Sequence, residues 1–326
     1  MTYALLAIFI PSFFFAVRYG IGTDYYSYIR NYELIRSGNE TRMEWGYEYL
    51  NKIVASLGGD IEIVFFIIGL LMMLFIYLTL KNYCHVISPG IGMFVFMLLY
   101  YQMSFNTVRQ AVTMAIVLYS IRFIKDRKLI KFTLLIVLAS GFHNSALLFL
   151  PIYFIYALIG KKNRTLSRIL IYTVTAIIVL SLDRILIPIL GAVPELDYYI
   201  KYLEEESTTE GIGFLVRSLP FLFIGFYVYK YIGERDRSFI LYFSIFIIGM
   251  LLNFSRFVGA DFISRISLNF EVAQVLLIPY FFRCLNNRGE FLLSWALFCY
   301  LIFHWWYVFF YIGSHGTYPY EWIFNK

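Results

Sequence analysis

Five arginines lie at the ends of hydrophobic segments, where a guanidinium could bind an anion at a membrane surface: Arg18, Arg109, Arg217, Arg256 and Arg265. Arginine suits this task because its planar guanidinium donates to two phosphate oxygens at once and keeps its proton. A charge near hydrocarbon is costly, about 2.5–3.5 kcal/mol at the centre of a spanning helix and less at its edge, so such a residue indicates function. The arginines predict an anionic ligand.

Arg109 is the strongest single candidate, because it begins a predicted span in a turn with Asn106 and Gln110. The competing interpretation is an arginine that extends towards the phosphates of surrounding lipid. For Arg265 the competing interpretation is a structural ion pair with Asp261.

Two residues could take a proton from a hydroxyl group, Asp24 and His143. Asp24 follows Arg18 in a glycine-containing turn, so the two side chains either pair with each other or divide the work between proton transfer and anion binding. His143 lies at a predicted turn between two short spans, where a neutral imidazole accepts a proton or hydrogen-bonds an anion. A histidine with a purely structural role is the alternative.

The segment that follows Arg18 is rich in side chains that suit a sugar ligand. Tyr25 and Tyr28 offer aromatic platforms, and Glu48 offers a carboxylate. We expect all three to contact substrate.

The composition decides the class of protein. Mean hydropathy is +0.71, and hydrophobic residues make up 60% and charged residues 15% of the 326 positions. Several runs approach or exceed the roughly 20 residues that a spanning helix needs, and they are apolar on all faces, unlike the alternating strands of a membrane barrel. Because the backbone must bond to itself in lipid, we expect an all-α integral membrane protein.

About eleven transmembrane helices are expected. Residues 1–17 lack a basic start and include Pro11, so we interpret this segment as a retained short span and not as a cleaved signal peptide. The expected spans lie near residues 1–17, 61–80, 86–103, 107–123, 129–142, 145–160, 167–190, 213–231, 238–255, 266–282 and 290–312.

Lysine and arginine gather on one side of this alternating arrangement, which predicts a cytoplasmic amino terminus and an external carboxyl terminus. The opposite side carries most of the acidic residues. The net charge of +6 and the pI near 9.0 follow from this asymmetry, so they indicate basic loops beside membrane lipids and no nucleic-acid binding.

The chain is expected to form a single polytopic domain over residues 1–326, because no Pro-rich or Gly-rich linker divides it. Two external loops are long, residues 18–60 and residues 191–212. The second has apolar residues at helical spacing, which predict either an interfacial helix or a solvated connector.

Motifs for metals and cofactors are absent from the sequence. Three cysteines are solitary, and the chain has no phosphate-binding loop, dinucleotide fingerprint, zinc-protease motif or nucleophile elbow. The sequence therefore predicts chemistry without a metal or a cofactor.

Four segments, in this order, resemble the signature of the EpsG family, which belongs with the Wzy-type polysaccharide polymerases. They are residues 18–25 (RYGIGTDY), 44–47 (EWGY), 106–111 (NTVRQA) and 142–147 (FHNSAL). Arg265 with Pro279 and residues 318–320 fit the same layout, so the resemblance runs from the first external loop to the end of the chain.

The resemblance implies an enzyme of the bacterial inner membrane that joins oligosaccharide repeat units, carried on undecaprenyl diphosphate, into an O-antigen, a capsule or an exopolysaccharide. The donor would be a growing glycan on this lipid and the acceptor a single repeat unit, on the periplasmic or outer face. A glycosyltransferase-C-like architecture is expected, and a chain-length regulator is a further candidate partner.

The chemistry of such a transfer sets its own requirements. A C1–O bond breaks while negative charge builds on the leaving diphosphate, so the site needs fixed cations. The attacking hydroxyl needs a carboxylate or an imidazole. We expect an inverting transfer in which Arg18, Arg109 and Arg265 bind the diphosphate and either Asp24 or His143 is the base.

Other classes stay open at this stage. A flippase would move the lipid-linked unit without chemistry, but it should carry charges along a path to the cytoplasmic side, whereas these candidates gather on one face. An O-antigen ligase would use a similar site with a different acceptor, and an acyltransferase would need a catalytic histidine in an acyl pocket.

Overall fold

The computed structural model describes residues 2–159, 165–181, 210–232, 236–255 and 261–325. Apart from an isolated backbone bridge between Arg18 and Trp322, the regular secondary structure of these residues is helical. The expected all-α fold is confirmed for this part of the chain. Arg256 and nearly all of the predicted external loop 191–212 lie outside the described residues.

The described helices coincide with the predicted spans, except that the spans 86–103 and 266–282 are each divided into two helices and that two further short helices, α2 and α3, lie in the predicted external loop 18–60. In chain order they are α1 Thr2–Ala16, α2 Tyr25–Arg36, α3 Trp45–Ser56, α4 Ile61–Asn82, α5 Pro89–Phe96, α6 Gln102–Ser104, α7 Val108–Lys125, α8 Leu129–Ser140, α9 Pro151–Ile159, α10 Thr165–Leu180, α11 Glu210–Ile232, α12 Arg237–Asn253, α13 Asp261–Glu271, α14 Gln274–Asn287 and α15 Phe291–Trp306.

Three helical segments in the described ranges are long and apolar enough to cross a membrane: Ile61–Asn82, Arg265–Asn287 and Phe291–Tyr311. Shorter apolar helices coincide with further predicted spans, among them α1, α8, α10 and α12. These segments agree with a membrane protein. The total of eleven spans and the orientation of the termini stay predictions.

The chain divides into two compact units. The first unit comprises Met1–Leu147 and Gly289–Lys326, and the second comprises Leu148–Arg288. The single domain expected from the sequence stays a prediction.

In the first unit, α4 packs between α1 and α7, and α7 also packs against α8. Gly69 of α4 lies so close to α1 that an added Cβ would stand 3.2 Å from Phe15, and small residues allow such close approach of helices in membranes. The start of α7 is therefore held by neighbours on several sides.

Two π-helical turns lie next to the contact between the last helix of the first unit and the segment before α7. They lie at Met97–Tyr101, between α5 and α6, and at Tyr307–Tyr311, after α15. The indole Nε1 of Trp305 donates to Gln102 at 2.6 Å, and this contact brings the chain end towards the turn that precedes α7.

In the second unit, α12 packs against α10, α13 and α14. The carboxylate of Asp236 caps α12, since it accepts from the amides of Ser238 at 2.8 Å and Phe239 at 3.2 Å, and it also accepts from the hydroxyl of Tyr280. One side chain thus fixes the start of α12 and joins it to α14.

Replacement Asp236→Ala should lower the stability of the second unit by about 1–3 kcal/mol, because it removes a helix cap and leaves a phenol without its acceptor. The check is the temperature of half-unfolding of the detergent-purified protein. Glu33→Ala, at an exposed acid on α2, is the matched control and should leave that temperature unchanged. An equal shift in both variants would contradict the capping role.

Candidate functional site

Arg109 is the second residue of α7 and forms an ion pair with Glu44, the residue before α3. The arginine side chain is 25% exposed and the carboxylate 10% exposed, so the pair is largely shielded from water. The hydroxyl of Tyr28 also interacts electrostatically with Arg109. Glu44 was not among the predicted site residues, although it opens the second of the four signature segments.

The backbone around Glu44 is docked on the turn after α8. The amides of Gly46 and Tyr47 both donate to the carbonyl oxygen of Gly141, at 2.7 and 3.0 Å. An added Cβ on Gly46 would lie 2.8 Å from that oxygen, and one on Gly141 would lie 2.6 Å from the ring of Trp45. Both positions therefore need glycine for close approach.

The same docking brings Glu44 to the predicted histidine segment. Its second carboxylate oxygen accepts from the amide of Asn144 at 3.4 Å. Glu44 thus bridges the arginine of the third signature segment and the backbone of the fourth.

His143 has a defined tautomer. Its Nδ1 accepts from the backbone amide of Ser145 at 3.2 Å and lies 2.7 Å from the hydroxyl of the same residue. Because a backbone N–H can only donate, the lone pair of the neutral ring is on Nδ1 and the proton is on Nε2. Nε2 is then a hydrogen-bond donor. Of the two roles expected for His143, hydrogen bonding to an anion fits this tautomer better than proton acceptance.

Asn106 anchors the first signature segment to the turn before α7. Its Oδ1 accepts from the amide of Asp24 at 2.8 Å and from the hydroxyl of Thr23 at 2.7 Å, and its backbone oxygen accepts from Tyr28 at 3.3 Å. Gly22 adopts a φ of +94°, and an added Cβ would lie 2.9 Å from the carbonyl oxygen of Phe105, so only glycine fits this turn.

The carboxylate of Asp24 is held beside this turn but is not used by it. Asp24 occupies the N-cap position of α2 without making a side-chain cap bond, and it is half-buried. Within the part of the chain that the structure describes, no hydrogen bond or ion pair engages its carboxylate.

Arg18 lies in a different environment from Arg109. It is 0% exposed, donates to the carbonyl oxygens of Phe15 and, at 3.4 Å, Phe105, and lies 4.3 and 4.1 Å from the ring centres of Phe15 and Phe65. Burial lowers the pKa of Arg18 to about 10, so it stays charged at neutral pH. A ligand could reach this guanidinium only after rearrangement, and its predicted role in binding diphosphate stays a prediction.

The two tyrosines proposed as sugar platforms point inward. Tyr25 and Tyr28 are buried on the same face of α2 as Tyr32 and Ile35, and burial raises the pKa of Tyr25 to about 12 and also raises that of Tyr28. Both hydroxyl groups therefore stay protonated, and that of Tyr28 interacts electrostatically with Arg109. Glu48 is paired with Lys52 at 2.6 Å.

Exposed aromatic rings of the same external segment are better placed for a glycan than Tyr25 and Tyr28. They are Tyr26, Trp45 and Tyr49.

The carboxyl-terminal segment also lies beside the first signature segment and the turn before α7. In the sequence, the aromatic residues at 318–320 were the indication of this. Backbone bonds tie it to the first signature segment. The amides of Tyr19, Gly22 and Ile323 donate to the carbonyl oxygens of Glu321, Gly316 and Val17 at 2.9, 3.1 and 2.9 Å.

His315 contacts the amide nitrogen of Asn106 through its Nδ1, at 3.4 Å. The amide oxygen of Asn106 is already occupied by the N–H of Asp24, so its nitrogen faces the imidazole and donates to it. The neutral ring of His315 therefore also carries its proton on Nε2. A second histidine thus stands beside the anchor of Asp24.

The EpsG family model matches residues 1–322 of the chain. The chain belongs to the EpsG family. Comparisons with curated proteins and with solved structures gave no match. The family places the chain among membrane proteins of polysaccharide biosynthesis, and the four signature segments are the ones that meet around Arg109 and Asn106.

The remaining arginines of this EpsG-family protein lie in the second unit. Arg217 is on α11 and half-buried, and Arg265 is on α13 and exposed. In the same unit Glu271 accepts a hydrogen bond from Asn253, which also donates to Ser267 at 2.8 Å. The side chain of Asp261, the alternative partner of Arg265, lies outside the described part.

No three histidine, cysteine or acidic side chains come together as a metal site in the described ranges. Cys84, Cys284 and Cys299 are free thiols.

Replacements Gly46→Ala and Gly141→Ala should each destabilise the first unit by about 1–3 kcal/mol, because each forces a methyl group into a backbone or ring contact. Thermal unfolding of the purified protein measures the effect. Gly90→Ala is the matched control, since an added Cβ there meets nothing closer than 3.9 Å. An unchanged unfolding temperature in Gly46→Ala would contradict the tight docking of the two segments.

Proposed function

We propose that this EpsG-family protein polymerises oligosaccharide repeat units that are linked to undecaprenyl diphosphate, on the external face of the bacterial inner membrane. One observation carries the proposal. Arg109, a candidate base and a donor histidine, which stand far apart in the sequence, converge at the start of α7. These are the groups that transfer from a sugar diphosphate requires.

In the proposed reaction, Arg109 binds the diphosphate of the donor. The bond between the anomeric carbon and the diphosphate oxygen breaks, and its electron pair leaves on the diphosphate, whose growing charge the guanidinium stabilises. The Nε2–H of His143 offers a second donor to that charge.

The acceptor hydroxyl forms the new bond to the anomeric carbon and gives its proton to a base. We assign this role to Asp24, since its carboxylate is not engaged by the described residues, whereas the lone pair of His143 is already occupied by Ser145. Attack opposite the leaving group inverts the anomeric carbon. The exposed rings of Tyr26 and Trp45 are candidates to hold the acceptor glycan.

The test of the proposed function is incubation of the purified protein with one lipid-linked repeat unit. A ladder of products from this substrate alone supports polymerisation. A flippase would move the unit without lengthening it, and a ligase would need a different acceptor, so absence of a ladder contradicts the proposal.

Arg109→Ala should reduce ladder formation by about 10²–10³-fold, and Arg109→Lys by at least about tenfold, because lysine keeps the charge but loses the planar fork. Arg36→Ala is the control and should leave the ladder intact. Arg36 is an exposed residue at the end of α2 that pairs with Asp60. The Arg109→Ala, Glu44→Ala double variant removes both charges and separates lost catalysis from an unpaired carboxylate. Full activity of Arg109→Lys would contradict bidentate binding.

Asp24→Asn should abolish the ladder, because loss of a general base lowers the rate by about 10²–10⁴-fold. His143→Gln should reduce ladder formation by no more than about tenfold, because the glutamine side chain still donates a hydrogen bond. Initial rates of product formation with matched amounts of folded protein measure both effects. Loss of activity in His143→Gln together with retention in Asp24→Asn would reverse the two assignments.

A further inference from the structure

The carboxylate of Glu44 occupies the position on Arg109 that an anionic ligand would take. The pair is largely shielded, so the guanidinium is neutralised before any ligand arrives. In the topology predicted from the sequence, Arg109 begins a membrane span, which places it at the depth of phospholipid phosphates. These phosphates carry a single negative charge and greatly outnumber a lipid-linked sugar. An unpaired Arg109 would bind those phosphates.

We propose that Glu44 is a specificity-determining residue: an internal anion that blocks Arg109 against singly charged phosphate groups and is displaced by a diphosphate. This inference rests on the proposed function, since it concerns the same ligand at the same arginine. It adds a residue and a role that the reaction itself does not require.

Whether a ligand displaces Glu44 from Arg109 depends on the charge of the ligand and on the number of hydrogen bonds that it forms with the guanidinium. A phosphodiester brings one negative charge, as Glu44 does, but Glu44 is already held beside Arg109 by the docking of Gly46 on Gly141. Exchange for a phospholipid therefore gains nothing. A diphosphate brings at least two charges and more acceptor oxygens, so it forms a stronger charge-assisted contact with the guanidinium.

Arg109 has a further donor for the additional oxygens. Its Nε is buried and has no hydrogen-bond partner among the described residues. The Nε2–H of His143, two positions before Ser145, belongs to the same docked segment that Glu44 contacts. Once the displacement of Glu44 exposes the Nε, a ligand with two phosphate groups engages both donors, whereas a single carboxylate cannot.

Glu44 can also leave Arg109 without becoming an isolated charge. Its other oxygen accepts from the amide of Asn144, and it stands before α3 in extended backbone, with φ of −63° and ψ of 143°. Its displacement therefore needs a side-chain rotation and leaves the docked backbone in place. Repulsion of one binder while another is favoured is a general route to specificity.

The experiment measures equilibrium binding to the full-length protein in phosphatidylcholine nanodiscs. The probes are farnesyl diphosphate, dihexanoyl phosphatidylglycerol as a singly charged phosphate, and inorganic diphosphate, which separates headgroup recognition from the contribution of the lipid tail. Wild-type protein should bind farnesyl diphosphate and resist competition by the phosphatidylglycerol.

Glu44→Gln should bind both lipid probes more tightly, by about 3–30-fold for the diphosphate and by more for the phosphatidylglycerol, so the selectivity ratio falls at least about tenfold. The gain should vanish when Arg109→Ala is added. Asp60→Asn is the matched control, because it removes the carboxylate of another pair with arginine, at 3.4 Å from Arg36, and should change no affinity.

Unchanged or weaker binding in Glu44→Gln would overturn the inference, as would a gain that persists without Arg109. If Arg109→Ala lowers diphosphate binding while Glu44→Gln leaves selectivity intact, the proposed function stands and the role of Glu44 falls. If Arg109→Ala leaves diphosphate binding unchanged, both fall. A Glu44→Gln protein that fails to fold is replaced by Glu44→Asp, which should lengthen the ion pair and shift selectivity in the same direction.

Discussion

The ion pair between Arg109 and Glu44 is the interaction on which the site depends. A guanidinium at the end of an apolar helix needs a partner, and here the partner comes from a segment 65 positions earlier in the chain. To reach Arg109, that segment must dock on the turn after α8, and the contact between Gly46 and Gly141 permits this. The pair thus couples the arginine, the first external loop and the histidine turn. A change in any one of these elements alters the charge that a ligand meets.

Arg18 and Arg109, both in the first unit, lie in different environments. Arg18 donates to carbonyl oxygens and lies against the faces of Phe15 and Phe65, while its Nε has no hydrogen-bond partner among the described residues. Arg109 is paired with a carboxylate, which we propose that a diphosphate displaces. The same residue type at two helix ends is therefore surrounded by carbonyl oxygens and rings in one case and paired with a carboxylate in the other.

Much of the scaffold could be predicted from the sequence, because long apolar runs leave the backbone few alternatives to helix. The spans expected at 61–80 and 107–123 correspond to α4 and α7. The inward face of α2 was not predicted, although its buried residues from Tyr25 to Ile35 recur at helical spacing, because Tyr25 and Tyr28 were interpreted as platforms for a sugar. The partner of Arg109 was not readable, because it depends on a tertiary contact between two glycines. The tautomer of His143 was equally hidden, since it follows from the local turn at Ser145.

The residues of the candidate site lie in turns at helix ends, and contacts between these turns hold the site together. Asn106 lies where the first signature segment, the start of α7 and the carboxyl-terminal segment meet, and one amide group orients both the backbone of Asp24 and the ring of His315. Three backbone bonds between the first and last external segments keep that arrangement closed. The candidate base therefore depends on both ends of the chain, whereas Arg109 depends on the docking of α3. The two parts meet at the turn before α7, where Tyr28 donates to the backbone oxygen of Asn106 and also interacts with Arg109, so a change in that turn affects both the base and the anion site.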